Sequence, residues 1–265
     1  NGPTSAQVLG GEIVLIIGID GATFKIIKKH LKALPNFERL MAEGSHRSLK
    51  LDMKPLSAVV WCSMFTGKPP EEHGHWDFVV DGKLQSRRDI EADFIWERLE
   101  AEGYEVKALN IPFVYPPYNY NCEHTPLNFG LSLELDELEE DRKQLLAKCR
   151  EILQNPPDLF IVVFDQLDKV QHFHWGEPVV LEWYERMDQV VGELAEYDEK
   201  MIILSDHGFR ERVEGGEGGY APPGAGPKQL KGDHDDEAIL ITRNVRYPIR
   251  RITDVYYAIQ EEIRR

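Results

Sequence analysis

Residues 12–20 read EIVLIIGID, an almost unbroken apolar run that ends in an aspartate. A strand with one wet face alternates apolar and polar side chains, whereas a continuous run fits a parallel strand covered on both faces. GATFKIIKKHLKALP (21–35) follows, with Thr23 placed to cap a helix and Ile26, Ile27, Leu31 and Leu34 at helical spacing. The alternation returns along the chain. YEVKALNIP (104–112), DLFIVVFD (158–165) and KMIILSD (200–206) read as strands, and DEAILIT (236–242) as a last one. DFIWERLEAEG (93–103), ELDELEEDRKQLLAKCREILQ (134–154), PVVLEWYERMDQVVGELAEY (178–197) and ITDVYYAIQEEIRR (252–265) read as helices. The order predicts an α/β fold with a mostly parallel central sheet flanked by helices.

Two stretches break this rhythm. IPFVYPPYNYNCEHTPLNFG (111–130) is rich in Pro, Tyr and Asn and is expected to form a cap loop over one sheet edge. VEGGEGGYAPPGAGPKQLKG (213–232) is expected to be a flexible loop from its glycines and prolines. NGPTSAQVLGG (1–11) reads as a disordered leader or expression remnant, leaving 12–265 as a single α/β domain.

The chain has 265 residues, of which 31 are basic and 46 acidic, for a net charge of −15. This balance argues against general affinity for nucleic acid backbone or anionic lipid. An anionic substrate must therefore be attracted locally, by a metal or a focused positive site. The three cysteines show no C-x-x-C spacing, so a disulfide framework and a thiolate zinc site are not indicated, and a reducing, cytoplasmic setting is expected. No apolar stretch approaches the roughly 18 residues of a membrane span.

Ligands of open parallel sheets bind at the carboxyl ends of the strands. Those ends carry the chemistry here. The first run ends in Asp20, the run at 158–165 leads to Asp168 with His172 four residues on, and the run at 200–206 ends in Asp206 and His207. His234 precedes the last strand. Carboxylates crowded on one edge repel unless cations neutralise them. Imidazole with carboxylate and no thiolate suits zinc first, with manganese or iron as alternatives.

PLSAVVWCSMFTGKPPEEHGHWDF (55–78) joins a small-residue turn to a short apolar helix and a glycine turn. The stretch resembles the nucleophile region of the type I phosphodiesterase/nucleotide pyrophosphatase family, within the alkaline phosphatase superfamily. Ser57 matches the nucleophile, Thr66-Gly67 a T-G pair and PEEHG the following P-x-x-H-G; Asp20, Asp168, His172, Asp206, His207 and His234 then match the remaining motifs in order. The resemblance implies an alkaline phosphatase-like fold and two divalent metal ions, one held by Asp168, His172 and His234, the other by Asp20, Asp206, His207 and the Ser57 oxygen. It also implies hydrolysis of a small-molecule phosphodiester or nucleotide pyrophosphate through a phosphoseryl intermediate. Phosphomonoester or phosphonate hydrolysis, a phosphoglycerate mutase-like reaction and a non-catalytic metal-stabilised binding module stay open. Sulfatase chemistry is disfavoured, because no x-P-x-R follows Ser57. Ser63 and Thr66 are second candidates as nucleophile, while His73 reads as structural and His75 and His174 as exposed or satisfied histidines.

Overall fold

The computed structural model describes residues 13–127, 134–197, 200–213 and 230–265. The expected leader and most of the expected loop at 213–232 lie outside them. In chain order the elements are β1 (Val14–Ile19), α1 (Phe24–Lys29), α2 (Pro35–Glu43), β2 (Ser45–Lys50), α3 (Ser57–Thr66), α4 (Pro70–His73), β3 (Val79–Val80), β4 (Lys83–Leu84) and α5 (Ile95–Ala101). There follow β5 (Val106–Ile111), β6 (Tyr118–Tyr120), α6 (Leu135–Leu153), β7 (Leu159–Phe164), α7 (Gln166–His174), α8 (Pro178–Leu194), β8 (Met201–Leu204), β9 (Gly208–Glu211), β10 (Gly232–Asp235), β11 (Glu237–Arg243) and α9 (Asp254–Ile263).

The central sheet has seven strands in the order β2-β11-β8-β1-β7-β5-β6. Its middle pairs, β8 with β1, β1 with β7 and β7 with β5, are parallel. Both margins are antiparallel: β11 runs against β8 and β2, and β6 against β5. The apolar runs are explained by the layers on either side. Leu15, Ile17 and Ile19 join Phe160, Val162 and Phe164 in a core with α2, α6 and α8. Val14 and Ile16 join Leu159, Ile161 and Val163 in a second core with α3, α5 and α9. Each strand is thus buried on both faces, which removes the polar half of the two-residue alternation.

The margins depart from the sequence reading. β2 is SHRSLK, with only Leu49 buried, so nothing apolar marked it as a strand. Part of the expected cap loop forms the edge strand β6, paired through Ala108 with Tyr120 and Ile111 with Tyr118. Among the described residues, no helix is long and apolar enough to cross a membrane.

Candidate active site

Asp20 immediately follows β1, and its amide donates to the Phe164 carbonyl of β7 at 2.9 Å, so the sheet ladder sets its position. The turn beyond it is held on two sides. Ser205 Oγ donates to Ala22 O at 2.9 Å and accepts from Ile239 N at 2.9 Å, joining the turn to the ends of β8 and β11. Gln171 Nε2 of α7 donates to Gly21 O at 2.8 Å, and Tyr184 OH donates to Gln171 Oε1 at 2.8 Å while accepting from Thr23 N at 3.0 Å. The helix that carries Asp168 and His172 is therefore hydrogen-bonded to the turn that follows Asp20. Thr23 caps α1 as expected, accepting from Lys25 N at 3.2 Å.

Ser57 is the first residue of α3, with Leu56 in the cap position. Its hydroxyl makes no cap and turns to the carboxylates instead. Oγ lies 3.2 and 3.4 Å from the two oxygens of Asp20 and 3.5 Å from His207 Nε2. One turn along, Trp61 Nε1 donates to Asp20 Oδ2 at 3.1 Å. The other candidate nucleophiles are engaged elsewhere: Ser63 Oγ with His73 Nε2 at 2.8 Å, Thr66 Oγ1 with Cys62 O at 2.7 Å. His75 Nε2 donates to Phe113 O at 2.7 Å and His174 Nδ1 meets Glu177 at 2.6 Å, so of the two alternatives, exposed or satisfied, both histidines are satisfied, and His75 is buried.

His207 and His234 are brought together by pairing of β9 with β10, which sets His234 opposite Phe209. His234 Nδ1 donates to Pro55 O at 2.6 Å and His207 Nδ1 to Gly208 O at 2.9 Å. A carbonyl can only accept, so each ring presents Nε2 to the carboxylates. His207 Nε2 is 3.3 Å from both Asp20 Oδ1 and Asp206 Oδ2 and 3.7 Å from Asp168 Oδ1. Asp168, His172 and His234 close a triangle of 3.4, 3.0 and 3.1 Å between Asp168 Oδ1 and the two Nε2 atoms. All seven side chains singled out in the sequence thus meet in one place.

The electrostatics are those of an overfilled acidic centre. Burial, reinforced by the Asp20 charge, holds the Asp206 carboxyl well above the usual carboxylate range. Burial opposes a charge on Asp168 too, but His172 and His234 outweigh it and keep that carboxyl well below the usual range. Burial likewise opposes charging His207, yet the bond to Asp20 and the charges of Asp20 and Asp168 raise it above the ordinary imidazole value.

Metal cations fit this donor set. Asp20, Asp206 and His207 can offer ligand atoms all within 4.8 Å of one another, and so can Asp168, His207 and His234. Two imidazole Nε2 atoms face each other at 3.0 Å, and Asp206 Oδ2 is buried without a hydrogen-bond partner among the described residues. Buried carboxylates and ring nitrogens crowded in this way need positive charge to offset them, which a shared metal cation would supply. His207 borders both groups, where the sequence reading had assigned it to one.

Ser57, Asp168 and His234 line a narrow cleft whose wall also includes Lys169 and Asp165. A wider groove of about 700 Å³ runs alongside, lined by Arg88, Tyr118 and His124, and shares Tyr115 with the cleft. The residues that sequence reasoning missed are Trp61, Gln171 and Lys169. Only Lys169 carried a local signal, sitting next to Asp168 and four residues after Asp165.

The model of the family described as Type I phosphodiesterase / nucleotide pyrophosphatase matches residues 14–216. The chain belongs to that family. Its activity is accordingly of the phosphoric ester hydrolase class. The match spans every site residue named above except His234, which the β9–β10 pairing supplies. No curated protein matches the sequence. Among solved structures, phosphonoacetate hydrolase from Sinorhizobium meliloti 1021, in complex with phosphonoacetate, is similar with a TM-score of 0.68 at 13% identity over 94% of this chain and 95% of that one. Murine ectonucleotide pyrophosphatase / phosphodiesterase 5, in an inactive form with AMP, gives a TM-score of 0.66 at 15% identity over 96% and 95%. These likenesses show a common fold.

Proposed function

We propose that this family member is a two-metal phosphoric ester hydrolase with Ser57 as nucleophile, acting on a small phosphodiester or a nucleotide pyrophosphate. The observation that carries the reading is the approach of Ser57 Oγ to Asp20 at 3.2 Å and to His207 at 3.5 Å, at the mouth of a helix. Asp168, His172 and His234 would hold one ion and Asp20, Asp206, His207 and the Ser57 oxygen the other; zinc suits the mixture of imidazole and carboxylate. Bound divalent ions would supply Lewis acidity and offset the carboxylate charge.

The chain's own groups do the rest. Asp20 accepts from the Ser57 hydroxyl and aims Oγ for in-line attack on phosphorus. As the Oγ–P bond forms, the P–O bond to the leaving alkoxide or phosphate breaks and the serine proton passes to solvent. Water then hydrolyses the phosphoseryl ester, releasing the phosphate product and restoring Ser57. The Val59 and Val60 amides are spent on Leu56 O, which leaves the first α3 amides to face a phosphoryl oxygen. AMP and phosphonoacetate in the structural neighbours support a small phosphorus-containing ligand. Three free cysteines suit a cytoplasmic setting.

The test is hydrolysis of bis(p-nitrophenyl) phosphate and p-nitrophenyl phosphate by zinc-loaded protein, with metal content measured in parallel. Ser57→Ala is expected to retain about two metals and lose at least roughly a thousand-fold in kcat. Undiminished turnover in that variant would remove Ser57 from the mechanism.

A further inference from the structure

Lys169 is 5% exposed, and its Nζ lies 3.0 Å from Asp165 Oδ2, one helical turn earlier. Asp165 is buried as well, with Asn110 Nδ2 3.4 Å from its other oxygen. Among the described residues, Asp165 is the one carboxylate within ion-pair distance of Lys169. An ammonium group carries three donors, so a single partner leaves donor capacity over. That capacity matters because Lys169 forms part of the wall of the cleft that holds Ser57, Asp168 and His234, and among the described residues it is the only lysine or arginine there. A lysine needed only to neutralise Asp165 could sit behind that wall.

The surroundings sharpen the point. The chain carries a net charge of −15, and Asp20, Asp168 and Asp206 crowd the nucleophile, so inside the cleft an incoming anion would meet a repulsive field except at bound cations and at Lys169. We propose that Lys169 contacts an anionic oxygen of the substrate, so that the site favours substrates with a second negative charge beside the scissile phosphorus, as in a nucleotide pyrophosphate, over singly charged diesters. This inference rests on the phosphoryl-transfer reading above. Asp165, held by Asn110, acts as the positioning residue that keeps the ammonium in the wall.

The experiment compares zinc-loaded wild type, Lys169→Met and the double variant Asp165→Asn/Lys169→Met. The double variant guards against misfolding around an unpaired buried Asp165. Each is assayed on ATP and on the p-nitrophenyl ester of thymidine 5′-monophosphate, and orthophosphate binding is followed by calorimetry. Both variants are expected to lose at least about ten-fold more kcat/KM on ATP than on the diester, and to bind orthophosphate about ten-fold more weakly. Equal losses on the two substrates, or wild-type orthophosphate affinity in the double variant, would reduce Lys169 to a counter-ion for Asp165 and overturn the proposal. Wild-type protein that neither binds orthophosphate nor turns over either substrate would bring down the phosphoryl-transfer reading itself, and this inference with it.

Discussion

Trp61 and Asp20 are joined by a 3.1 Å hydrogen bond from the indole nitrogen to Oδ2, across 41 positions of sequence. Asp20 also accepts from Ser57, so one carboxylate is gripped from two successive turns of α3. The indole is fully buried and stacks on Phe65 at 6.0 Å, which leaves the ring little freedom to turn away. Trp61→Phe keeps an aromatic filler and deletes the donor. It is expected to lower kcat/KM about ten- to a hundred-fold, the usual cost of losing a group that orients a metal ligand, the role proposed for Asp20, and stability by about 1–2 kcal/mol. Steady-state kinetics and urea unfolding measure the two effects; an unchanged rate would show that Asp20 is oriented without the indole.

The same contact explains a glycine in the middle of a strand. A Cβ at Gly18 would sit 2.7 Å from Trp61 Cη2 and 2.8 Å from Val163 Cγ2, both in a packed core. Gly18→Ala is expected to cost about 1–3 kcal/mol through overpacking and to depress activity by shifting Trp61. Denaturant midpoints compared with the wild type give the first number. A neutral substitution would mean that α3 can move outward freely.

Stability should depend on pH and metal together. In metal-free protein the raised Asp206 and His207 groups stabilise the fold in their protonated forms, and that contribution is lost as pH rises through their folded values, above 3.8 and 6.5 respectively. Asp168 has the opposite sign: its contribution is present above 3.8 and is lost as pH falls through its lowered value. Metal binding requires the deprotonated ligands. Adding zinc is therefore expected to raise Tm more at pH 8 than at pH 5, with EDTA reversing the gain. A zinc effect on Tm independent of pH would contradict the ligand set.

His73 supplies a second, metal-independent pH response. Burial first, then the neighbouring His75 and Lys68, push it down to about 4. Its Nδ1 accepts from His75 N at 3.0 Å, so protonation would break that bond. A depressed histidine stabilises the fold above its ordinary value of 6.5, and the contribution fades as pH falls from there toward 4. Urea unfolding of the metal-free protein between pH 7 and 4.5 should show this acid limb, and His73→Asn should flatten it.

The legible parts of the fold were those where burial writes a continuous apolar run. β1, β5, β7 and β8 lie in the middle of the sheet under helices on both sides, and each was readable as a strand. β2 was not, because an edge strand with exposed Ser45, His46 and Arg47 looks like any polar loop until it pairs with β11. β6 was hidden by prolines and tyrosines that also suit a loop. The site followed the same division. Asp20, Asp206 and His207 were legible because they end buried strands, Asp168 and His172 because four residues make one helical turn. Trp61 and Gln171 looked like ordinary core and helix residues.

Sequence alone determined the α/β class, the family pattern and the six candidate side chains grouped with Ser57, since strand ends, helical spacing and residue chemistry are all written locally. Tertiary structure decided the rest. It set His207 between both carboxylate groups, turned His234 Nε2 inward by binding Nδ1 to Pro55 O across 179 positions, and brought Lys169 into the wall of the cleft. Such choices depend on distances between segments far apart in the chain, and only the closing of the sheet and its helices determines those distances.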